Sequence, residues 1–252
     1  NIMSQNTSEK LLAFIKSSPD CFHAVQTMKE QLLAQNFTEL SEEEHWNLAY
    51  GGQYFVTRNG SSIIAFTLPE TGIKGFHILA SHSDSPSFKI KENPEMESEG
   101  HYIRLNVERY GGMLFAPWFD RPLSVAGRVI VKDPSTDGKP SACFLSKLVN
   151  IDRDLLMIPN LAIHMDRDAN NGHKYNAQKD MLPLYGDLTA KNTFFQTIAE
   201  AANVTEDEIL GHDLFLYNRQ EPCIWGASRE FLSAPRLDDL QCAFASLKGF
   251  LS

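Results

Sequence analysis

Apolar residues in the first part of the chain recur at the three-and-four spacing of helices. Leu11, Leu12 and Ile15 share one face of a first predicted helix, which Thr7 or Ser8 can cap. After Ser18-Pro19-Asp20, the residues Phe22, Val25, Met28, Leu32 and Leu33 place a second helix over residues 22–35. The opening stretch, Asn1 to Gln5, reads as a frayed start outside the fold. Strand-like runs follow. Tyr54-Phe55-Val56 and Ile63-Ile64-Ala65-Phe66 flank Asn59-Gly60, a hairpin signal because Gly tolerates positive φ. Gly75-Phe76-His77-Ile78-Leu79-Ala80 is nearly continuous in apolar character, which predicts a strand covered on both faces. It runs directly into Ser81-His82-Ser83-Asp84-Ser85-Pro86.

The texture changes from about residue 88 to residue 218. Short alternating runs, such as residues 102–107 and 123–132, are separated by Gly, Pro and Asp clusters and read as a β-rich module of its own. The polar stretch 166–180, with Asn170-Asn171-Gly172, is expected to be a mobile loop. A helix is expected around residues 193–202, a capping box at Thr205 and Glu208, and a strand over residues 213–217. Ser233-Ala234-Pro235-Arg236-Leu237-Asp238-Asp239 then leads into an amphipathic helix over residues 240–251. The chain stops inside that run, so the sequence reads as the N-terminal piece of something longer. No internal repeat or low-complexity segment is visible.

Composition narrows the class. With 252 residues, 42% hydrophobic and 22% charged, the chain reads as one large globular domain or two smaller ones. No apolar run approaches the ~20 residues of a membrane span, and the N-terminus lacks a signal-peptide pattern, so a soluble, cytoplasmic protein is expected. A net charge of −9, without a block of Lys or Arg, argues against nucleic acid as a partner. Cys21, Cys143, Cys223 and Cys242 are too scattered for a zinc cage or a disulfide framework and read as reduced, mostly structural residues.

Two short segments could carry chemistry. In His82-Ser83-Asp84 an extended backbone points residues i and i+2 to the same side. A neutral imidazole is a zinc ligand through one nitrogen, and a nearby carboxylate can accept the other ring N–H and fix the tautomer. The same pattern also occurs by chance in polar loops. In Asp238-Asp239 a carboxylate at a helix start is explained by capping and by the helix dipole, yet a carboxylate can also bridge two cations. The local sequence leaves both readings open. His164 closes the apolar run of residues 158–163 and reads first as a partly buried, hydrogen-bonded histidine. Asp120-Arg121 reads as a surface ion pair. His23, His45, His77, His101, His173 and His212 form no ligand spacing. There is no G-x-S-x-G elbow, phosphate loop or dinucleotide fingerprint.

Together these pieces resemble a family. Leu79-Ala80-Ser81-His82-Ser83-Asp84-Ser85-Pro86 resembles the H-x-D-S-P segment of the M18 metallo-aminopeptidases, the aspartyl aminopeptidase family. Tyr110-Gly111-Gly112, the run from Trp118 to Val129 and the run from Ile158 to His164 are similar to further M18 motifs. Ser233-Ala234-Pro235-Arg236-Leu237-Asp238-Asp239 is similar to the family's S-A-P-R-L-D-N, with Asp239 where Asn is usual.

The resemblance implies an α/β, zinc-exopeptidase-like catalytic domain, a mixed sheet with flanking helices, interrupted by a β-rich oligomerisation insert. The expected boundaries are residues 6–88 and 229–252 for the catalytic parts and 89–228 for the insert. It implies that His82 and Asp238 are zinc ligands, with Asp238 bridging two metals, and that Asp84 is the catalytic-site carboxylate orienting His82. His164 would reach a neighbouring subunit's active site and hold substrate there. The cofactor would be two Zn ions per complete site, with Mn or Co as substitutes. The partners would be a peptide substrate and further copies of the chain in an oligomer, commonly a dodecamer. The family's Glu-Glu pair and its remaining Asp and His ligands would lie beyond residue 252, so this polypeptide alone is expected to be inactive. An acidic N-terminal residue is the expected substrate preference, with neutral ones also accepted in the family. Two other classes stand beside this one: a non-enzymatic assembly module on the same fold, and a metal-dependent deacylase of N-acyl amino acids.

Overall fold

The computed structural model describes residues 2–133 and 144–252, with side chains from residue 6 onward. In chain order the helices are α1 (Ile2–Lys16), α2 (Cys21–Ala34), α3 (Phe194–Ala202) and α4 (Leu237–Phe250). The strands are β1 (Thr38–Leu40), β2 (Gln53–Arg58), β3 (Ser62–Thr67), β4 (Ser87–Ser98), β5 (Tyr102–Tyr110), β6 (Leu123–Lys132), β7 (Phe144–Asn150), β8 (Leu184–Asp187), β9 (Ile209–Asn218), β10 (Cys223–Trp225) and β11 (Phe231–Ser233). The chain forms two compact units, residues 1–85 with 221–252 and residues 86–220. No helix among the described residues is long and apolar enough to cross a membrane.

The first unit packs α1, α2 and α4 with a three-stranded sheet in the order β1-β2-β3, in which β1 and β2 are parallel and β2 and β3 antiparallel. Its core joins Phe14, Ile15, Val25, Leu32, Phe55 and Phe244, with the Phe14 and Phe244 rings 5.7 Å apart. Burying each such side chain contributes about 1.5–3 kcal/mol. Asp20 caps α2: one carboxylate oxygen accepts the N–H groups of Phe22 and His23, and the other lies 2.5 Å from His23 Nδ1. At the β2–β3 turn Asn59 and Gly60 both take positive φ, and the Ser61 N–H returns to the Arg58 carbonyl.

Two expectations for this unit change. The first helix starts at Ile2, so residues read as a frayed start are helical and Thr7 and Ser8 lie inside the helix instead of capping it. Nothing between Ile2 and Lys10 breaks a helix, and Ser and Thr cost little within one. Gly75–Ala80 is not a strand: it joins no ladder among the described residues, and Phe76 and Ile78 are each 82% exposed. Apolar continuity reports a preference for burial, whereas a strand exists only where neighbouring N–H and C=O groups meet it.

The second unit is built on a six-stranded sheet in the order β7-β6-β9-β4-β5-β8, antiparallel throughout its recorded pairings. On β5 the alternate residues Ile103, Leu105 and Val107 are buried, the period-two pattern of a sheet with one packed face. Leu105 and Val107 share a core with Phe88, Val129, Ile158, Leu214 and the buried face of α3, Phe194 and Ile198. Gly127 on β6 takes φ +152, and a Cβ there would sit 2.0 Å from the Asp213 carbonyl oxygen on β9. The neighbouring Arg128 donates to the Asp213 carboxylate at 3.0 Å, and Lys89 of β4 reaches its other oxygen at 2.7 Å. The Ala-Gly-Arg-Val motif therefore has a structural explanation: close strand approach and a charge clamp across β6, β9 and β4. Desolvation pushes the Asp213 carboxyl up, but the bonds and charges of Lys89 and Arg128 outweigh it and hold it below the usual carboxylate range.

Candidate metal centre

His82 lies in the irregular segment between β3 and β4, and Asp238 and Asp239 lie in the first turn of α4, all within the first unit. The start of α4 is fixed from the other end of that unit. Arg236, the N-cap, adopts φ +60, and its guanidinium donates to the carbonyls of Ser18 at 3.0 Å and Ile15 at 3.1 Å. These are carbonyls at and just past the end of α1, where a helix leaves acceptors unused. Arg236 makes no side-chain capping bond. Asp238 and Asp239 both depart from helical backbone angles, and the peptide joining them is cis.

The tautomer of His82 follows from its partners. Nδ1 lies 3.1 Å from the Asp84 carbonyl and 3.0 Å from Asp84 Oδ1. A carbonyl oxygen only accepts, so Nδ1 carries the proton and donates to both. Nε2 is left to face Asp238 Oδ1 at 3.4 Å and Asp239 Oδ2 at 3.6 Å. The His82 main-chain N–H donates to that same Asp239 oxygen at 3.2 Å. Ligand atoms of the three residues all lie within 4.8 Å of one another. Desolvation lowers the His82 pKa, but the side-chain and backbone bonds to Asp84 and the Asp239 and Asp84 charges outweigh it, so the net shift is upward. The Cys242 thiol lies one helical turn on, and the Asp239 carboxylate is the main influence that raises its pKa.

This donor set fits a divalent cation. Two ligands of a tetrahedral zinc, each about 2.0–2.1 Å from it, lie about 3.3 Å apart, close to the two carboxylate distances from Nε2. An imidazole whose second nitrogen is held by a carboxylate is the usual partner of such an ion. Asp239 received no role from the sequence; the doublet of aspartates was its one signal.

The remaining candidates lie in the second unit. His164 is not a partly buried strand-end residue: it is exposed, in a turn closed by the Met165 N–H on the Ala162 carbonyl. It carries no hydrogen bond or ion pair among the described residues. Asp120 and Arg121 do not pair with each other: Asp120 accepts the Asn160 N–H at 2.9 Å, and Arg121 donates to Gln220. The stretch 166–180 is laced by local bonds, among them His173 Nδ1 to Asp166 at 3.2 Å and the Asn176 N–H to Asp180 at 2.6 Å. Cys21, Cys223 and Cys242 form no disulfide among the described residues, and Cys143 lies outside them.

Residues 14–252 match the family model described as Aminopeptidase I zinc metalloprotease (M18). The chain belongs to the M18 aminopeptidase family. A protein of Clostridium acetobutylicum named Probable M18 family aminopeptidase 2 is 45% identical over 251 residues, which is 97% of this chain and 57% of that protein. The protein of the same name from Clostridium novyi is 46% identical over 96% of this chain and 56% of its own length. Among solved structures, mApe1 of Chaetomium thermophilum superimposes with a TM-score of 0.88 at 34% identity, covering 98% of this chain and 58% of that one. The Ape4 chain of an Ape4–Nbr1 complex gives 0.92 at 32% identity, over 99% of this chain and 51% of that one. This M18 chain therefore spans a little over half the length of the curated relatives it matches.

Proposed function

We propose that this chain carries the His82–Asp238 part of the metal centre of a metal-dependent aminopeptidase. The observation that carries the reading is the His82 ring: Nδ1 is committed to Asp84, while Nε2 faces the Asp238 carboxylate. His82 and Asp238 would hold zinc, and Asp84 orients the imidazole. In the complete protein two such ions, with Mn or Co as substitutes, would supply Lewis-acid polarisation of the scissile carbonyl and an acidified water. His82 contributes a neutral donor of fixed tautomer, and Asp238, 80% exposed, contributes an open carboxylate able to serve two cations. His164, exposed on its turn, would hold substrate from a neighbouring subunit. The second unit would provide the oligomer contacts, in keeping with the dodecamer in which the mApe1 relative of S. cerevesiae was solved. Peptides with acidic N-terminal residues are the preferred substrate class.

The chain by itself is proposed to bind metal and not to turn over peptide. Among the described residues no glutamate joins His82, Asp238 and Asp239, and a general base is needed to take a proton from the attacking water. Chelator-competition titration with Zn²⁺ should show binding that falls about tenfold or more in His82→Ala and Asp238→Ala. Asp- and Leu-derived amides should remain uncleaved. Turnover by the isolated chain that disappears in His82→Ala would overturn the inactivity. Equal Zn²⁺ affinity in all three chains would overturn the metal centre.

A further inference from the structure

We propose that Asp239 is a positioning residue of this centre, its carboxylate clasping the backbone at His82 to the start of α4 while His82 and Asp238 face the cation. The inference rests on the metal reading above and adds a division of labour between the two adjacent aspartates. Residues 75–85 belong to no helix or strand, so no ladder sets the height or angle of His82. Among the described residues the main chain at this point is held by a long-range bond: the His82 N–H donates to Asp239 Oδ2 at 3.2 Å, across 157 positions of sequence. The carboxylate making it is 17% exposed, against 80% for Asp238. A sheltered carboxylate engaged by a main-chain donor has directed lone pairs at protein. The open one beside it has not. A cation arriving from solvent therefore meets Asp238 and the His82 ring, at a spacing that Asp239 sets from behind.

The two roles open to Asp239 respond differently to an amide. A positioning acceptor needs only an oxygen, which Asn supplies; a metal-binding carboxylate needs charge, which Asn lacks. The test uses the 252-residue chain and its Asp239→Asn and Asp239→Ala variants, with two readouts. The first is exchange of the His82 amide in metal-free protein, followed by NMR. The second is Co²⁺ affinity by chelator competition. Asp239→Ala should speed His82 amide exchange and weaken Co²⁺ binding, each by about tenfold or more, while Asp239→Asn stays within about threefold of the parent in both. If Asp239→Asn loses Co²⁺ as fully as Asp239→Ala while the His82 amide stays protected, Asp239 is a ligand and the proposal is overturned. Unchanged amide exchange in both variants overturns the clasp. A parent chain that binds no Co²⁺ overturns the metal reading, and the amide measurement then decides the clasp on its own. If Asp239→Ala fails to fold, the comparison of Asp239→Asn with the parent still separates ligand from acceptor.

Discussion

A histidine serves a cation through whichever ring nitrogen its neighbours leave bare, and at His82 that choice is made by Asp84. Its carbonyl and carboxylate both lie within hydrogen-bond reach of Nδ1. Asp84→Ala removes the carboxylate and keeps the carbonyl, so the tautomer is weakened without being abolished. We expect Zn²⁺ affinity to fall about ten- to a hundredfold in Asp84→Ala, with Asp84→Asn between it and the parent. Chelator competition at fixed pH reads the series, and an unchanged affinity in Asp84→Ala would remove the orienting role. His212 on β9 is the opposite case. Both of its ring nitrogens are shielded from solvent with no hydrogen-bond partner among the described residues, and its ring lies 5.4 Å from Phe195. Burial lowers its pKa; Glu92 and Asp213 push it up, Lys89 pushes it down, and the net shift is downward. With the native value below the unfolded value of about 6.5, the unfolded chain binds more protons in the interval between them. Stability is therefore full above the unfolded value and is lost as pH falls toward the native one. Urea unfolding from pH 8 down to pH 5 should show that decline, and His212→Leu should flatten it; an identical slope in the variant would place the titration elsewhere.

At the scale of elements, caps decide where helices sit, and two of them differ in how visible they are from the sequence. Thr205 and Glu208 form the capping box that their spacing of three residues announces. α3 lies earlier in the chain, and the side chain of its N-cap, Thr193, makes no capping bond. The work is done by Glu95 of β4, which accepts the N–H of Asn192 at 2.5 Å and of Phe194 at 2.8 Å. Glu95→Ala should cost about 1–2 kcal/mol in urea unfolding, and Glu95→Gln clearly less because its amide oxygen still accepts. Equal losses would mean the charge matters more than the acceptor. The same contrast explains what the sequence made legible. Asn59-Gly60, the capping box and the alternation of β5 are local patterns and were readable as such. So was His82-Ser83-Asp84, because both groups ride on three consecutive residues. Glu95 on α3 and Asp239 on the His82 amide join residues 99 and 157 positions apart, and no spacing rule reaches that far. His164 was misjudged for a related reason: an apolar run before it promised burial, but the backbone turns at Ile163 and carries the ring outward.

For the whole molecule the decisive surface is the run Gly75–Ala80, apolar in sequence and bare in the structure. Phe76 and Ile78 are each 82% exposed and Leu79 is 63% exposed, with no strand paired to them among the described residues. An exposed apolar segment that joins no ladder among the described residues attracts a second chain by burial and by main-chain hydrogen bonding at once. We therefore expect the chain to associate as its concentration rises, measured by light scattering coupled to size-exclusion chromatography. The double substitution Phe76→Ser with Ile78→Ser should return it toward the monomer mass of 28.4 kDa. Its unfolding free energy in urea should stay within about 0.5 kcal/mol of the parent, because neither side chain contributes to a packed core. Association that survives the double substitution would belong to another surface, the second unit being the first to search. A monomeric parent at every concentration would show that the backbone of this run is satisfied by water alone. Because Ala80 lies only two residues from His82, Zn²⁺ affinity measured on the same variant also tells whether the apolar run and the metal centre act as one segment or as two.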